Sequence, residues 1–232
     1  MKDYVAFDLE TTGLSLERDQ IIEIGAVKVR DGKISGKYNC IIHPEIEVSD
    51  FIINLTGIDR NMLKKGISLK EGVEGFLEFS RNFPVLGHNV MFDYKFMKKA
   101  AASFKHNFER EGVDTLKVAR KLLGELENKK LETLCAHYHY VNQAAHRAYD
   151  DAVSASVLYG KLEKLKPEDN SFSNTTKLVY VVKKDSPITP PQRRYLAALV
   201  EKHNINLEIP VEEMTKSMAS RQIDTIIAQY GK

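Results

Sequence analysis

Apolar and polar residues switch between two periods along this chain, and the switches mark its elements. Tyr4–Glu10 (YVAFDLE) is apolar on both faces until its end, the pattern of a buried strand that finishes in acid. Ile21–Val29 and Ile34–Ile42 flank Asp31-Gly32, a dipeptide that accepts positive φ, and so predict a hairpin. From Ser68 to Phe79 the apolar residues recur at helical spacing, and Ser68 with Glu71 three residues later supplies a capping box. Pro84–Gly87 reads as a short buried strand, and helical patterns follow over 91–103, 114–123, 131–139 and 148–165. Three strands, a helix, a strand and more helices predict an α/β fold whose mixed sheet is covered on both faces.

Residues 167–176 (PEDNSFSNTT) break this periodicity with Ser and Asn, and divide a domain of residues 1–166 from a small unit at 177–232. In the second unit Leu178–Val182 is strand-like, while Pro190–His203 and Ser217–Tyr230 are helical. Arg193, Arg194, Lys202, Lys216 and Arg221 are interspersed with its apolar faces. An accessory nucleic-acid or protein-docking module fits this pattern, and so does a solvated helical cap.

Composition narrows the class without choosing a function. The 232 residues suffice for one α/β domain and an appendage, and 43% hydrophobic with 28% charged residues is ordinary for a soluble globular chain. No apolar run reaches membrane-spanning length, and the N-terminus enters a strand-like run without a secretory pattern, so a cytoplasmic location is expected. Cys40 and Cys135 have neither CxxC nor zinc-ligand spacing and are expected to be reduced. A net charge of +2 neither requires nor excludes a nucleic-acid partner, because an enzyme that must release its polymer needs no strongly basic surface.

Three acidic segments carry the candidate chemistry. Asp8 and Glu10 lie two apart at the end of the first strand, so period-2 geometry points both to one face while Phe7 and Leu9 point to the other. Two crowded carboxylates repel and lose hydration, and a divalent cation with oxygen preference, Mg²⁺ or Mn²⁺, resolves both problems; a strand end that simply reaches solvent reads the same way. Thr11-Thr12-Gly13-Leu14 then supplies either a turn with exposed N–H groups able to hold a terminal nucleotide, or a plain β-turn. In Gly87-His88-Asn89-Val90-Met91-Phe92-Asp93, Asp93 shares a face with Phe96, Met97 and Ala100, which turns it inward, although a first-turn acid also suits the helix dipole. In His146-Arg147-Ala148-Tyr149-Asp150-Asp151, Asp151 shares a face with Ala155, Leu158, Leu162 and Leu165 against the sheet. Asp150 lies with Ser154, Lys161 and Lys164 on the solvent side. His146 is either a mobile imidazole within reach of a metal-bound water or an ordinary loop residue.

Taken together, these segments resemble the DEDDh, DnaQ-like family of 3′→5′ exonucleases. The first motif looks like Phe7 to Leu14, the second like Gly87 to Asn89 with Phe92-Asp93, and the third like His146, Ala148 and Asp151. Arg147 stands where the tyrosine subclass carries Tyr, so the histidine subclass fits; Thr56-Gly57-Ile58 with Met62-Leu63 looks like the inter-motif segment. The resemblance spans roughly residues 1–165 and includes bacterial proofreading exonucleases, the epsilon-type subunit and the exonuclease insert of PolC. It implies an RNase H-like fold with a five-stranded mixed sheet, and two divalent cations, Mg²⁺ or Mn²⁺, held by Asp8, Glu10, Asp93 and Asp151. It further implies His146 as general base, and a terminal nucleotide seated by Leu9, Thr11, Thr12, Gly13, Leu14, His88, Asn89 and Phe92. The implied partners are single-stranded or frayed 3′ ends of DNA or RNA, and a polymerase or other replication protein. Oligoribonuclease-like trimming of RNA and a non-catalytic polymerase-docking role are the competing readings.

Overall fold

At Asp31 and Gly32 φ is 49° and 72°, and the chain reverses there to join β2 (Ile21–Arg30) to β3 (Lys33–Ile41). The computed structural model describes every residue except 143, 144, 170, 171, 173, 183–185, 208 and 232. β1 (Tyr4–Thr11) lies antiparallel to β2 on one edge and parallel to β4 (Val85–Gly87) on the other. β5 (Glu111–Asp114) continues the sheet in parallel and β6 (Thr176–Lys177) closes it antiparallel, giving the order β3-β2-β1-β4-β5-β6.

The sheet is an RNase H-like mixed α/β sheet with six strands among the described residues rather than five. Its sixth strand, Thr176–Lys177, lies where the sequence suggested the end of a linker, while 178–182, the stretch with strand-like residues, forms no regular strand. Two residues cannot establish a period, which explains the displacement. The intervening segment is also fastened to the main domain. Phe172 and Leu178 are buried in its two cores, and Asp169 forms an ion pair with Lys121 at 2.7 Å.

Alternation along β1 divides these cores. Val5, Phe7 and Leu9 face α3 (Leu69–Ser80) and α4 (Met91–Ser103), packing with Phe76, Tyr94 and Met97. Tyr4 and Ala6 face α7 (Ala148–Leu165) with α5 (Thr115–Leu122) and α6 (Leu131–His137), where Leu158, Leu162 and Leu134 complete the packing. Asp8 and Glu10 continue that second face toward the C-terminal end of β1. Two short helices, α1 (Asp50–Thr56) and α2 (Arg60–Lys64), join β3 to α3; at seven and five residues they were too short to show a period. Their signals are local instead: caps at Ser49 and Asp59, and Gly57 at φ 68° closing α1.

The remaining helices, α8 (Pro190–His203) and α9 (Lys216–Tyr230), pack Leu196 and Leu199 against Ala219, Ile223 and Ile226 in a core of their own. Among the described residues no helix is long and apolar enough to cross a membrane.

Candidate active site

Asp8 and Glu10 reach one face of β1, and α7 brings Asp151 onto the same face. Oxygens of the three carboxylates lie within 4.8 Å of one another. Asp151 comes this close because the first turn of α7 rests directly on β2. A Cβ built on Gly25, the residue opposite Asp8, would stand 2.0 Å from the Tyr149 backbone nitrogen. Ala155, Leu158 and Leu162 are buried as the helical face requires, but Leu165 is 55% exposed because the helix outruns the sheet. Ser154, expected at the surface beside Asp150, is fully buried, and its hydroxyl donates back to the Asp150 carbonyl at 2.7 Å.

Asp93 enters from α4. It is buried, lies outside the group of three, and accepts the Leu9 N–H at 3.1 Å, clamping the strand between the two acids. Burial and then repulsion from Asp93, Glu10 and Asp151 hold the Asp8 carboxyl well above the usual range. Burial, with Asp151 and Glu23 adding to it, pushes Glu10 up to about 8. Asp93 is also raised well above its ordinary value, chiefly by burial, and Asp151 is raised by burial against the opposing bonds from Asn142 and the His146 backbone. Burial and mutual repulsion make it costly to ionise Asp8, Glu10 and Asp151 together, with Asp93 beside them; a divalent cation would relieve that cost, and an all-oxygen donor set of this kind fits Mg²⁺ or Mn²⁺.

His146 is exposed and sits at φ 62°, its N–H donating to Asp151 Oδ2 at 3.1 Å, while Asn142 Nδ2 donates to Oδ1 at 2.6 Å. His146 and Asp151 line a groove of about 770 Å³ together with His88, Arg120, Lys129 and Lys130. At His88 both ring nitrogens are engaged, Nδ1 with Thr115 Oγ1 at 2.9 Å and Nε2 with the Lys129 carbonyl at 2.7 Å, so the imidazole ties the end of β4 to the start of α5 and the loop after it. Asn89 is exposed at φ 68°, and its N–H donates to Asp114 Oδ1 at 2.9 Å. Phe92 is half-buried, its ring 5.0 Å from that of Phe96.

The turn after β1 is built around Asp19, a residue outside the three acidic motifs. Thr12 Oγ1 donates to Asp19 Oδ1 at 3.0 Å, the Ser15 N–H donates to Oδ2 at 2.7 Å, and Thr11 Oγ1 donates to the Gly13 carbonyl at 2.6 Å. A Cβ on Gly13 would meet the Asp19 carboxylate at 2.6 Å, so glycine is what lets the turn close. Leu14 projects from it with 85% exposure. Glu23 also lies outside the motifs; its signal in the sequence is that a glutamate inside IIEIGAV interrupts a buried strand.

The family model described as Exonuclease, the RNase T model, matches residues 5–159. A PolC-type DNA polymerase III of Caldanaerobacter subterraneus subsp. tengcongensis is 40% identical over 164 residues, which is 70% of this chain and 12% of that protein. The corresponding Clostridium perfringens polymerase is 36% identical over 167 residues, again 12% of its length, so this chain spans about an eighth of these relatives. Among solved structures, E. coli exonuclease I in complex with a dA16 oligonucleotide superposes with a TM-score of 0.62 at 16% identity, covering 75% of this chain and 42% of that one. A 3′-exonuclease described in recognition of a histone mRNA stem-loop gives 0.64 at 14% identity, covering 78% of this chain and 69% of that one. At such identities these two likenesses speak to the fold, while the family model and the polymerases speak to descent. The chain belongs to the RNase T exonuclease family, as a DnaQ-like member.

Proposed function

We propose that the protein is a two-metal-ion 3′→5′ exonuclease that shortens DNA or RNA one nucleoside 5′-monophosphate at a time, in proofreading, repair or end trimming. The observation that carries this reading is the convergence of Asp8, Glu10 and Asp151 within 4.8 Å, with the His146 backbone bonded to Asp151. Asp8, Glu10, Asp93 and Asp151 would hold a pair of Mg²⁺ or Mn²⁺ ions. Such ions supply the charge that activates a water and steadies the leaving 3′-oxygen.

The chain's own residues do the rest. His146, exposed at the rim, accepts the proton of the attacking water, a role worth about 10²–10⁴-fold. The Thr11-Thr12-Gly13 turn offers backbone groups to the terminal nucleotide, with Leu14 and Phe92 packing on bases and Asn89 shaping the pocket; the Leu9 side chain, buried in the core on the face of β1 opposite Asp8 and Glu10, is not available to the substrate. His88, with both nitrogens engaged, contributes shape rather than a free hydrogen bond. The PolC-type relatives suggest that the substrate is a frayed 3′ end presented by a polymerase, in the cytoplasm.

Digesting 5′-labelled DNA and RNA oligomers with Mg²⁺ or Mn²⁺ tests this reading. A ladder shortening from the 3′ end is expected. Products confined to the shortest RNAs would replace it with oligoribonuclease-like clearance, and absence of product with a docking role.

A further inference from the structure

Glu23 is fully buried near the start of β2, between Ile22 and Ile24. It stands opposite Glu10 on β1, as Gly25 stands opposite Asp8, so all four residues share one face of the sheet. Arg147 grips its carboxylate with a fork: Nε donates to both oxygens at 3.3 and 3.1 Å, and Nη2 donates to Oε1 at 2.8 Å. The backbone N–H of Ala148 donates to Oε2 at 3.0 Å. Arg147 is the N-cap residue of α7 and gives that helix no side-chain cap, so a glutamate from another strand caps it instead. His146 directly precedes this anchor, and Asp151 lies one helical turn beyond it.

We infer that the Glu23–Arg147 pair, seated beside the notch at Gly25, is the positioning device that sets His146 and Asp151 over Asp8 and Glu10. Stability alone does not account for it. A buried ion pair is rarely better than apolar residues of equal volume, and this one places a second carboxylate opposite Glu10. The apolar contacts of Ala155, Leu158 and Leu162 hold α7 against the sheet, but such contacts are non-directional and specify sliding and rotation less sharply than directed bonds do. A bidentate fork with a backbone N–H on the same carboxylate fixes both motions. The anchor itself is independent of the exonuclease reading; only what it positions rests on that reading.

The test uses the full-length protein carrying Glu23→Gln, Arg147→Lys, His146→Ala, or Glu23→Gln with His146→Ala. Each is followed by thermal melting, by hydrolysis of a 5′-labelled oligonucleotide with Mn²⁺, by oligonucleotide affinity, and by backbone amide exchange over residues 145–152. Turnover is expected to fall roughly 100-fold in Glu23→Gln and in Arg147→Lys. Affinity stays near the parent's, and the Ala148 amide exchanges faster. In the double variant the two losses multiply less than fully, because part of the anchor's effect passes through the histidine and part through Asp151. Near-parent turnover in both single variants, or losses that multiply in full, would overturn the inference. If the parent cleaves nothing, the exonuclease reading fails while amide exchange still decides on the anchor: unchanged exchange at Ala148 in Glu23→Gln removes it, and faster exchange supports it. Should Glu23→Gln not fold, Arg147→Lys, altering a side chain 28% exposed, carries the same measurements.

Discussion

Asp8, Glu10 and Asp151, which the fold brings together, and Asp93, which bonds the Leu9 N–H between the two strand acids, each sit at a fixed place in a period: the end of a strand, or the first turn of a helix on its apolar face. His146→Ala is expected to lower turnover by about 10²–10⁴-fold while Mn²⁺ binding persists, a split that single-turnover kinetics beside calorimetry would expose. A linkage prediction belongs to Glu10. Its folded-state value, about 8, lies above the ordinary 4.5, so its contribution to stability is complete below 4.5 and is lost as pH rises through 8. The metal-free protein should therefore melt at a lower temperature at pH 8 than at pH 5.5. Added Mn²⁺ should close the gap, since deprotonated carboxylates bind the ion more tightly. A melting temperature that climbs with pH in EDTA contradicts this. Asp19 and Glu23 escaped the sequence reading for opposite reasons. Asp19 works through a loop with no period, and Glu23 interrupts a period without marking what it meets across the fold.

Among the elements, the long ones were readable and the short ones were not. β1, the hairpin, α3, α4 and α7 have enough turns or alternations to declare themselves. β5, four residues long, merged into the helical pattern beginning at 114, where Asp114 caps α5 through the Leu116 N–H at 3.0 Å. The docking of α7 on β2 is where one element decides the site. Gly25→Ala would force the first turn of α7 outward, since the new methyl would overlap the backbone of Ala148 and Tyr149. Overpacking of this kind costs about 1–3 kcal/mol. The expected result is a lower melting temperature together with weaker Mn²⁺ affinity, because Asp151 moves with the helix. A variant that melts lower yet binds Mn²⁺ as the parent does would show that Asp151 stays in place.

Across the whole molecule, composition marks 167–176 as a polar stretch but does not show what that stretch packs against. Polar letters in 167–176 concealed Phe172, which packs with Tyr159 at a ring separation of 5.5 Å, and the edge strand that follows. Truncation after residue 166 should consequently destabilise the main domain. Loss of a buried phenylalanine alone costs about 3–5 kcal/mol. Truncation after residue 182 should leave its melting temperature close to the parent's, a comparison that calorimetry makes directly. If the helical pair of α8 and α9 grips the polymer, that longer truncation will also flatten the salt dependence of oligonucleotide binding.

The turn carrying Leu14 joins a rigid base to a bare tip. Asp19 and the threonines fix the base, and the side chain at the tip touches almost nothing of its own protein. Its identity is thus nearly free of folding constraints, and if Leu14 packs on the terminal base as proposed, position 14 becomes a dial for retuning preference among strand termini. Larger or aromatic replacements there should shift relative rates between purine and pyrimidine ends and leave heat resistance as it was.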